Sequence, residues 1–317
     1  MAQDATVRWS SPEVILVATD LLEGYSLTLH AIYQAKLSKA KVLLVHVIPP
    51  SNMGAGADYG LPFVLPSPTE RIVKEKLDEM VKEFQREGIL CEPIILKGFP
   101  AQQIPLLVKS RSVDRVIVAT RGATGVARLV QGSVAEELIA ALNVPLCVVG
   151  RRAHPGAACG TPLGRILLAT SFHLGSSQLA VFASTLAEVN HSHLTLLHVL
   201  ETPSGSEQER ELTRMVARQR LAGMVPKEAR QMQRPDFLVS EGDPATIILD
   251  EVASRKEELV ILGSPRPSLA SWVRGTSVVH RVVVEAHCPV IAFRPTVSLA
   301  SESLFEPVDM EVELGLC

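Results

Sequence analysis

The chain contains the same sequence pattern twice, and this repeat limits its fold more than any other feature. VILVATD at 14–20 is echoed by RILLATS at 165–171, and KVLLVHVIPP at 41–50 by HLTLLHVLETP at 193–203. KGFPAQQI at 97–104 returns as EGDPATII at 241–248, and RVIVATRG at 115–122 as LVILGSPR at 259–266. QGSVAEEL at 131–138 matches RGTSVVHR at 274–281, and VPLCVVGR at 144–151 matches CPVIAFRP at 288–295. His46 and His198 stand 152 residues apart, whereas Gly98 and Gly242, like Pro145 and Pro289, stand 144 apart. The change of about eight falls on the Gly- and Pro-rich stretch 51–69, so the first copy carries a longer loop there. A repeat of this length predicts two domains of one architecture, in keeping with 317 residues.

Each copy alternates short aliphatic runs with helical patterns. VILVAT, KVLLVHVI, CEPIILK, RVIVAT and PLCVVG are rich in Val, Ile and Leu, as strands buried on both faces of a parallel sheet must be. In ERIVKEKLDEMVKEFQREG (70–88), Ile72, Val73, Leu77, Met80, Val81 and Phe84 form an apolar stripe and Gly88 a C-terminal cap. In the second copy Gly223 and Pro226 interrupt the corresponding helix. Five strands with four crossovers predict an α/β fold: two tandem doubly wound, five-stranded, Rossmann-like parallel-sheet domains. The expected divisions are a first domain at 1–152, a linker at 153–163, a second domain at 164–295 and a tail at 296–317. The tail holds five acids and no base. The apolar last strands, 145–150 and 289–294, each need a partner. Pairing them together gives a pseudo-twofold intramolecular dimer, and a further homodimer is left open.

Composition removes several function classes. A net charge of −3 supplies no basic field for nucleic acid, and 4% aromatic residues supply few stacking platforms. No apolar run approaches the ~20 residues of a membrane span, and the N-terminus lacks a signal pattern. The cysteines at 91, 147, 159, 288 and 317 form no C-x-x-C pair, so neither a disulfide framework nor a zinc site is expected. These features predict a cytoplasmic protein that binds neither nucleic acid nor membrane.

Open parallel sheets bind ligands beyond the carboxyl ends of their strands. There the first copy has Thr19 and Asp20 after its first strand and Ala119-Thr-Arg-Gly122 after its fourth. Gly132-Ser133 then opens the helix SVAEELIAAL, where free N–H groups and the helix dipole suit a phosphate. A ligand-free reading competes, because Ser133 and Glu136 also spell a capping box. Asp20 alone reads as a turn residue, Arg121 and Arg128 as solvated, and His46 and His198 as core or turn histidines. There is no G-x4-G-K-[S/T] loop or G-x-S-x-G elbow, and no nucleophile stands beside a base at a recognisable spacing. Catalysis beyond slow hydrolysis of a bound nucleotide is therefore not expected.

These residues together resemble the universal stress protein domain, twice over. The ATP-binding branch of that family carries G-x2-G-x9-G-[S/T]. The first copy matches with Ala119-Thr-Arg-Gly122, nine residues, then Gly132-Ser133, and only the first glycine is altered. Asp20, His46-Val47 and Gly98-Phe99-Pro100-Ala101 match the family in order. The resemblance implies a stress-response protein binding ATP, AMP or ADP, with Mg²⁺ as a candidate companion. It implies that Ala18, Thr19 and Asp20 line the adenosine side and that the Val47 backbone meets the adenine edge. Val118, Ala119, Arg121 and Gly122 would wrap the ribose and first phosphates, and Gly132, Ser133 and Val134 the outer phosphates. Ala119 fits this role only if its φ is negative. The second copy departs further. It has Ser171 for Asp20 and Arg266 for Gly122, with Pro265 and Pro267 removing two donors and eight residues before Gly275-Thr276. The expectation is a second domain that is structural or regulatory and degenerate for ATP. A scaffold acting on a protein partner through its dimer-like surface is the alternative to nucleotide binding.

Overall fold

Residues that are apolar on both sides of a strand have to be covered on both sides, and the structure does this with two helical layers. It is a computed structural model that describes residues 8–21, 25–50, 68–120, 133–153, 163–173, 175–201, 205–256, 258–263 and 277–294. The first half contributes β1 (Val14–Ala18), β2 (Lys41–Ile48), β3 (Cys91–Lys97), β4 (Arg115–Ala119) and β5 (Leu146–Val149). The second contributes β6 (Arg165–Ala169), β7 (His193–Leu200), β8 (Asp236–Glu241), β9 (Leu259–Gly263) and β10 (Val290–Phe293). The helices of the first half are α1 (Tyr25–Ser38), α2 (Pro68–Arg86), α3 (Pro100–Ser110) and α4 (Ser133–Ala141). Those of the second are α5 (Ser176–Asn190), α6 (Glu207–Met224), α7 (Lys227–Gln233), α8 (Pro244–Arg255) and α9 (Val278–Glu285).

The strands form one sheet in the order β3-β2-β1-β4-β5-β10-β9-β6-β7-β8. All neighbours are parallel except β5 and β10, which run antiparallel and join the halves as expected. Successive residues point to opposite layers. Ile15, Val17, Leu44 and Ile117 face one core, and Leu16, Leu43, Val45 and Val116 face the other. Both cores run on through the seam into the second half.

The seam has a local twofold axis. Cys147 lies opposite Ile291, and these are equivalent positions of the two copies. Glu136 on α4 pairs with His280 on α9, 144 residues on; this offset, one more than the glycine match at 132 and 275, also relates Cys147 to Ile291 and the buried Leu138 and Leu142 to Val282 and Ala286. The packing around this axis is asymmetric. Trp9 meets Phe293 edge-on at 4.5 Å, and Phe182 lies 5.7 Å from the same ring. Tyr33 Oη accepts from the Leu163 amide at 2.8 Å and donates to Asn190 Oδ1 at 3.2 Å. Arg115 is buried and donates to Gln34 Oε1 at 2.9 Å and the Trp9 carbonyl at 2.5 Å. Burial lowers its pKa to about 10, so it stays charged at neutral pH. Gly150 is required at the seam because a Cβ there would stand 2.9 Å from the Val283 carbonyl.

Three details differ from the sequence reading. Ile72 faces solvent at 50% exposure, while Val73, Leu77, Val81 and Phe84 carry the buried stripe of α2. β3 and β8 are the edges of the sheet and are half-exposed rather than buried. Pro93 breaks up the donor row of edge strand β3. α6 continues through Gly223 and stops at Val225, just before Pro226. The loop at 51–67 and the tail lie outside the described residues.

Candidate functional site

In each half the strand order reverses, between β1 and β4 and between β6 and β9. A crevice opens at such a reversal, beyond the carboxyl ends of the strands. The sequence-predicted residues Ala18, Thr19, Asp20, Val118 and Ala119 come together at the first reversal. Ala18 is the register partner of Val118, and Ala119 of Val149. Val47 lies on the adjacent strand β2, buried, two residues past the partner of Ala18. Val134, in the first turn of α4, is 39% exposed. Arg121, Gly122 and Gly132 lie outside the described residues, as does the side chain of Ser133, and with it the capping-box reading. The Glu136 carboxylate of that box is paired with His280.

The turn after β1 is held from three directions. The Thr19 amide donates to the Val45 carbonyl at 2.9 Å, continuing the β1–β2 ladder. Thr19 Oγ1 accepts from the Leu21 amide at 3.0 Å and stabilises Leu21 in the left-handed region at φ 65°. His46 Nδ1 lies 2.8 Å from the Thr19 carbonyl. A carbonyl only accepts, so Nδ1 carries a proton. Asp20 is thus held at the crevice mouth between two fixed residues, half-buried.

The second half builds the same turn. The Thr170 amide donates to Leu197 O at 3.0 Å, and the Phe172 amide to Thr170 Oγ1 at 3.3 Å. His198 Nδ1 is 2.8 Å from Thr170 O, and Phe172 has φ 59°. This threonine–histidine lock was not predicted, although both residues recur at matching places in the repeat. The halves differ in what the lock presents: Asp20 and Leu21 in one, Ser171 and Phe172 in the other. The Phe172 ring stacks 4.1 Å from the His198 imidazole, with the Arg220 guanidinium 4.5 Å from its centroid. Burial, with help from the Arg220 charge, holds the His198 pKa below its ordinary value.

The glycine turns after β3 and β8 also correspond. Gly98 and Gly242 have φ of 132° and 140°, a conformation that side chains rarely adopt. Each donates to the last residue of the neighbouring strand, Ile48 O and Leu200 O, at 3.0 Å. In the second half Asp243 caps α8 by accepting from the Thr246 amide at 2.9 Å, and Arg281 reaches the same carboxylate at 2.6 Å. Phe99 stands at the equivalent place in the first half, without a side-chain cap.

A duplicated five-stranded unit, closed by antiparallel last strands and carrying the same locked turn twice, is matched by known proteins. The model of the universal stress protein family matches residues 12–150 and, a second time, residues 162–294. The chain belongs to this family. Two universal stress proteins of Methanocaldococcus jannaschii are similar to it. One is 26% identical over 153 residues, covering 44% of this chain and 94% of the relative. The other is 30% identical over 125 residues, covering 38% of this chain and 71% of the relative. A universal stress protein from Archaeoglobus fulgidus shares the tandem fold, with a TM-score of 0.70 at 17% identity over 90% of this chain and 98% of that one. This universal stress protein is therefore a tandem member, with two copies of the family unit in one chain. Among the described residues no three His, Cys, Asp or Glu side chains converge to hold a metal, and no helix is long and apolar enough to cross a membrane.

Proposed function

We propose that this universal stress protein binds an adenine nucleotide in the first-half crevice and acts as a nucleotide-responsive stress regulator. The observation that carries the reading is the locked turn at the strand reversal. Thr19, fixed by Val45 and His46, sets Asp20 at the crevice mouth. A carboxylate there suits the hydroxyls of a ribose or the amino edge of adenine. Ala18 and Val118 floor the same crevice as register partners. By their resemblance to the family motif, Arg121, Gly122, Gly132, Ser133 and Val134 would form the phosphate side, near the start of α4. Ala119, the one departure in that motif, is compatible with it: it ends β4 without a positive φ, so its methyl group costs no backbone strain.

ATP, ADP and AMP share the recognised base and ribose. Mg²⁺ would arrive on the phosphates, which with water supply the oxygen ligands it favours. The second half keeps the lock but presents Ser171 in place of the carboxylate, so its role is structural or regulatory. Bound nucleotide, released from the purified protein by denaturation and identified by chromatography, tests the proposal. Adenine nucleotide approaching one molecule per chain supports it. A protein that is empty and stays empty after incubation with ATP favours the scaffold reading.

A further inference from the structure

The outer face of α6 carries an apolar stripe where its counterpart in the first half, α2, sets charges around one exposed apolar residue, Ile72. α2, between the second and third strands of its own half, turns Arg71, Lys74, Glu75, Glu79, Lys82 and Glu83 to solvent. α6 occupies the matching place in the second half and buries Ala217, Leu221 and Met224 against the sheet. Its opposite side carries Leu212, Met215 and Val216, which are 56%, 50% and 53% exposed. At 100° per residue, Gln208, Leu212, Met215, Val216 and Gln219 share one stripe without a charge. A helix with a second apolar face, opposite the one packed on its sheet, is built to meet something else.

The margins of the stripe indicate the occupant. Glu209 and Arg220 border it on one side, and Glu211 and Arg218 on the other. A twofold axis perpendicular to two antiparallel helices brings each margin against the same margin of the partner, as in an antiparallel coiled coil. Glu209 then opposes the second copy's Arg220, whose guanidinium also covers Phe172 of its own chain, and Glu211 opposes its Arg218. Both pairs are centred on the same point of the helix, between Arg214 and Met215, so one register satisfies all four contacts. That register also sets Leu212, Met215 and Val216 within a turn of the axis and brings Gln208 near Gln219 of the other copy.

The geometry points to a second copy of this chain as the occupant, with α6 as the contact of a twofold homodimer. Arg218 makes no ion pair among the described residues and is available to a partner. Glu211 accepts from Arg214 of its own helix at 2.6 Å, and Glu209 caps Ser206, but a carboxylate has room for another donor. The acidic segment 296–317 suits the surface less well, because its five acids would face Glu209 and Glu211 along with the arginines. One helix pair buries less than the ~1,200–2,000 Å² of a standard interface, so the dimer is weak, with Kd on the order of micromolar.

Sedimentation of the full chain across about 1–100 μM tests this inference independently of nucleotide binding. The expected result is a reversible monomer–dimer equilibrium. Met215→Arg, a change at an exposed position, leaves the circular dichroism unaltered and weakens the dimer at least about tenfold. Glu211→Arg and Arg218→Glu each set like charges together and weaken self-association to a similar degree. Mixing these two charge-reversed proteins pairs opposite charges at both contacts and restores dimers, which a folding defect would not do. Three outcomes overturn the inference: a monomer throughout the range, a dimer indifferent to Met215→Arg, or a dimer that appears only when the chain is cut after residue 295.

Discussion

Glu136 and His280 occupy equivalent positions in the two copies and bond to each other across the pseudo-twofold axis. A residue on such an axis would meet itself if two identical copies paired. Two Glu136 carboxylates would repel, and the unlike pair makes the contact specific for the first half with the second. The asymmetric packing of Trp9, Phe182 and Phe293 follows the same logic. The first half has the smaller Ala31 and Val149 where the second has Phe182 and Phe293, and Trp9 packs edge-on against Phe293.

His280→Glu places two carboxylates at the axis. The expected loss is about 1 kcal/mol, since the pair is partly exposed, or about 2–4 °C in Tm for a chain of this size. The exchange Glu136→His with His280→Glu restores most of it. Thermal unfolding followed by circular dichroism measures both, and a double exchange as unstable as the single change would contradict the axis reading.

Arg115 anchors the first half at the seam through Gln34 and the Trp9 carbonyl. Arg115→Ala strands both acceptors and is expected to cost about 3 kcal/mol in urea unfolding. Arg115→Met fills the volume without the buried charge and costs less.

The His198 pKa is held down in the folded protein by burial and by Arg220. Below the ordinary value of 6.5 the unfolded chain therefore binds the proton more readily than the folded one. Stability falls as pH drops through 6.5, and this contribution is fully lost once pH passes below the folded value. His198→Gln flattens that part of the profile. Chemical denaturation of both proteins between pH 7 and pH 5 gives the comparison, and identical slopes would refute the assignment.

The two locks allow a controlled comparison. Thr19→Val removes one bond to the following turn and should cost about 1 kcal/mol, whereas Thr170→Val also removes the donation from Thr170 Oγ1 to Ser176 Oγ and should cost about 2 kcal/mol. Only Thr19→Val should weaken nucleotide binding, by several-fold. Equal binding losses from both would mean that the halves bind alike.

Most of the architecture is legible in the repeat because strands buried on both faces leave long aliphatic runs, and the repeat marks each one twice. Exposure is less legible. Which strand ends a sheet depends on neighbours distant in sequence, so CEPIILK reads as an inner strand although it forms edge β3. Ile72 falls on the margin of its helical stripe, where periodicity does not separate core from solvent. Glu136 reads locally as half of a cap because its partner lies 144 residues away. The strand ends read from the sequence put Thr19, Asp20 and Ala119 at the first strand reversal, where the structure has them. The hydrogen bond from His46 that fixes the turn emerges only when β1 and β2 are paired.

The central claim is nucleotide binding by the first half alone. Calorimetric titration of the purified chain with ATP, alongside Gly132→Asp and Gly275→Asp, tests it most directly. The account predicts one site per chain, abolished by Gly132→Asp, where a carboxylate would oppose the phosphates, and retained in Gly275→Asp. Absence of binding by the unaltered chain, or equal loss in the two variants, would contradict it.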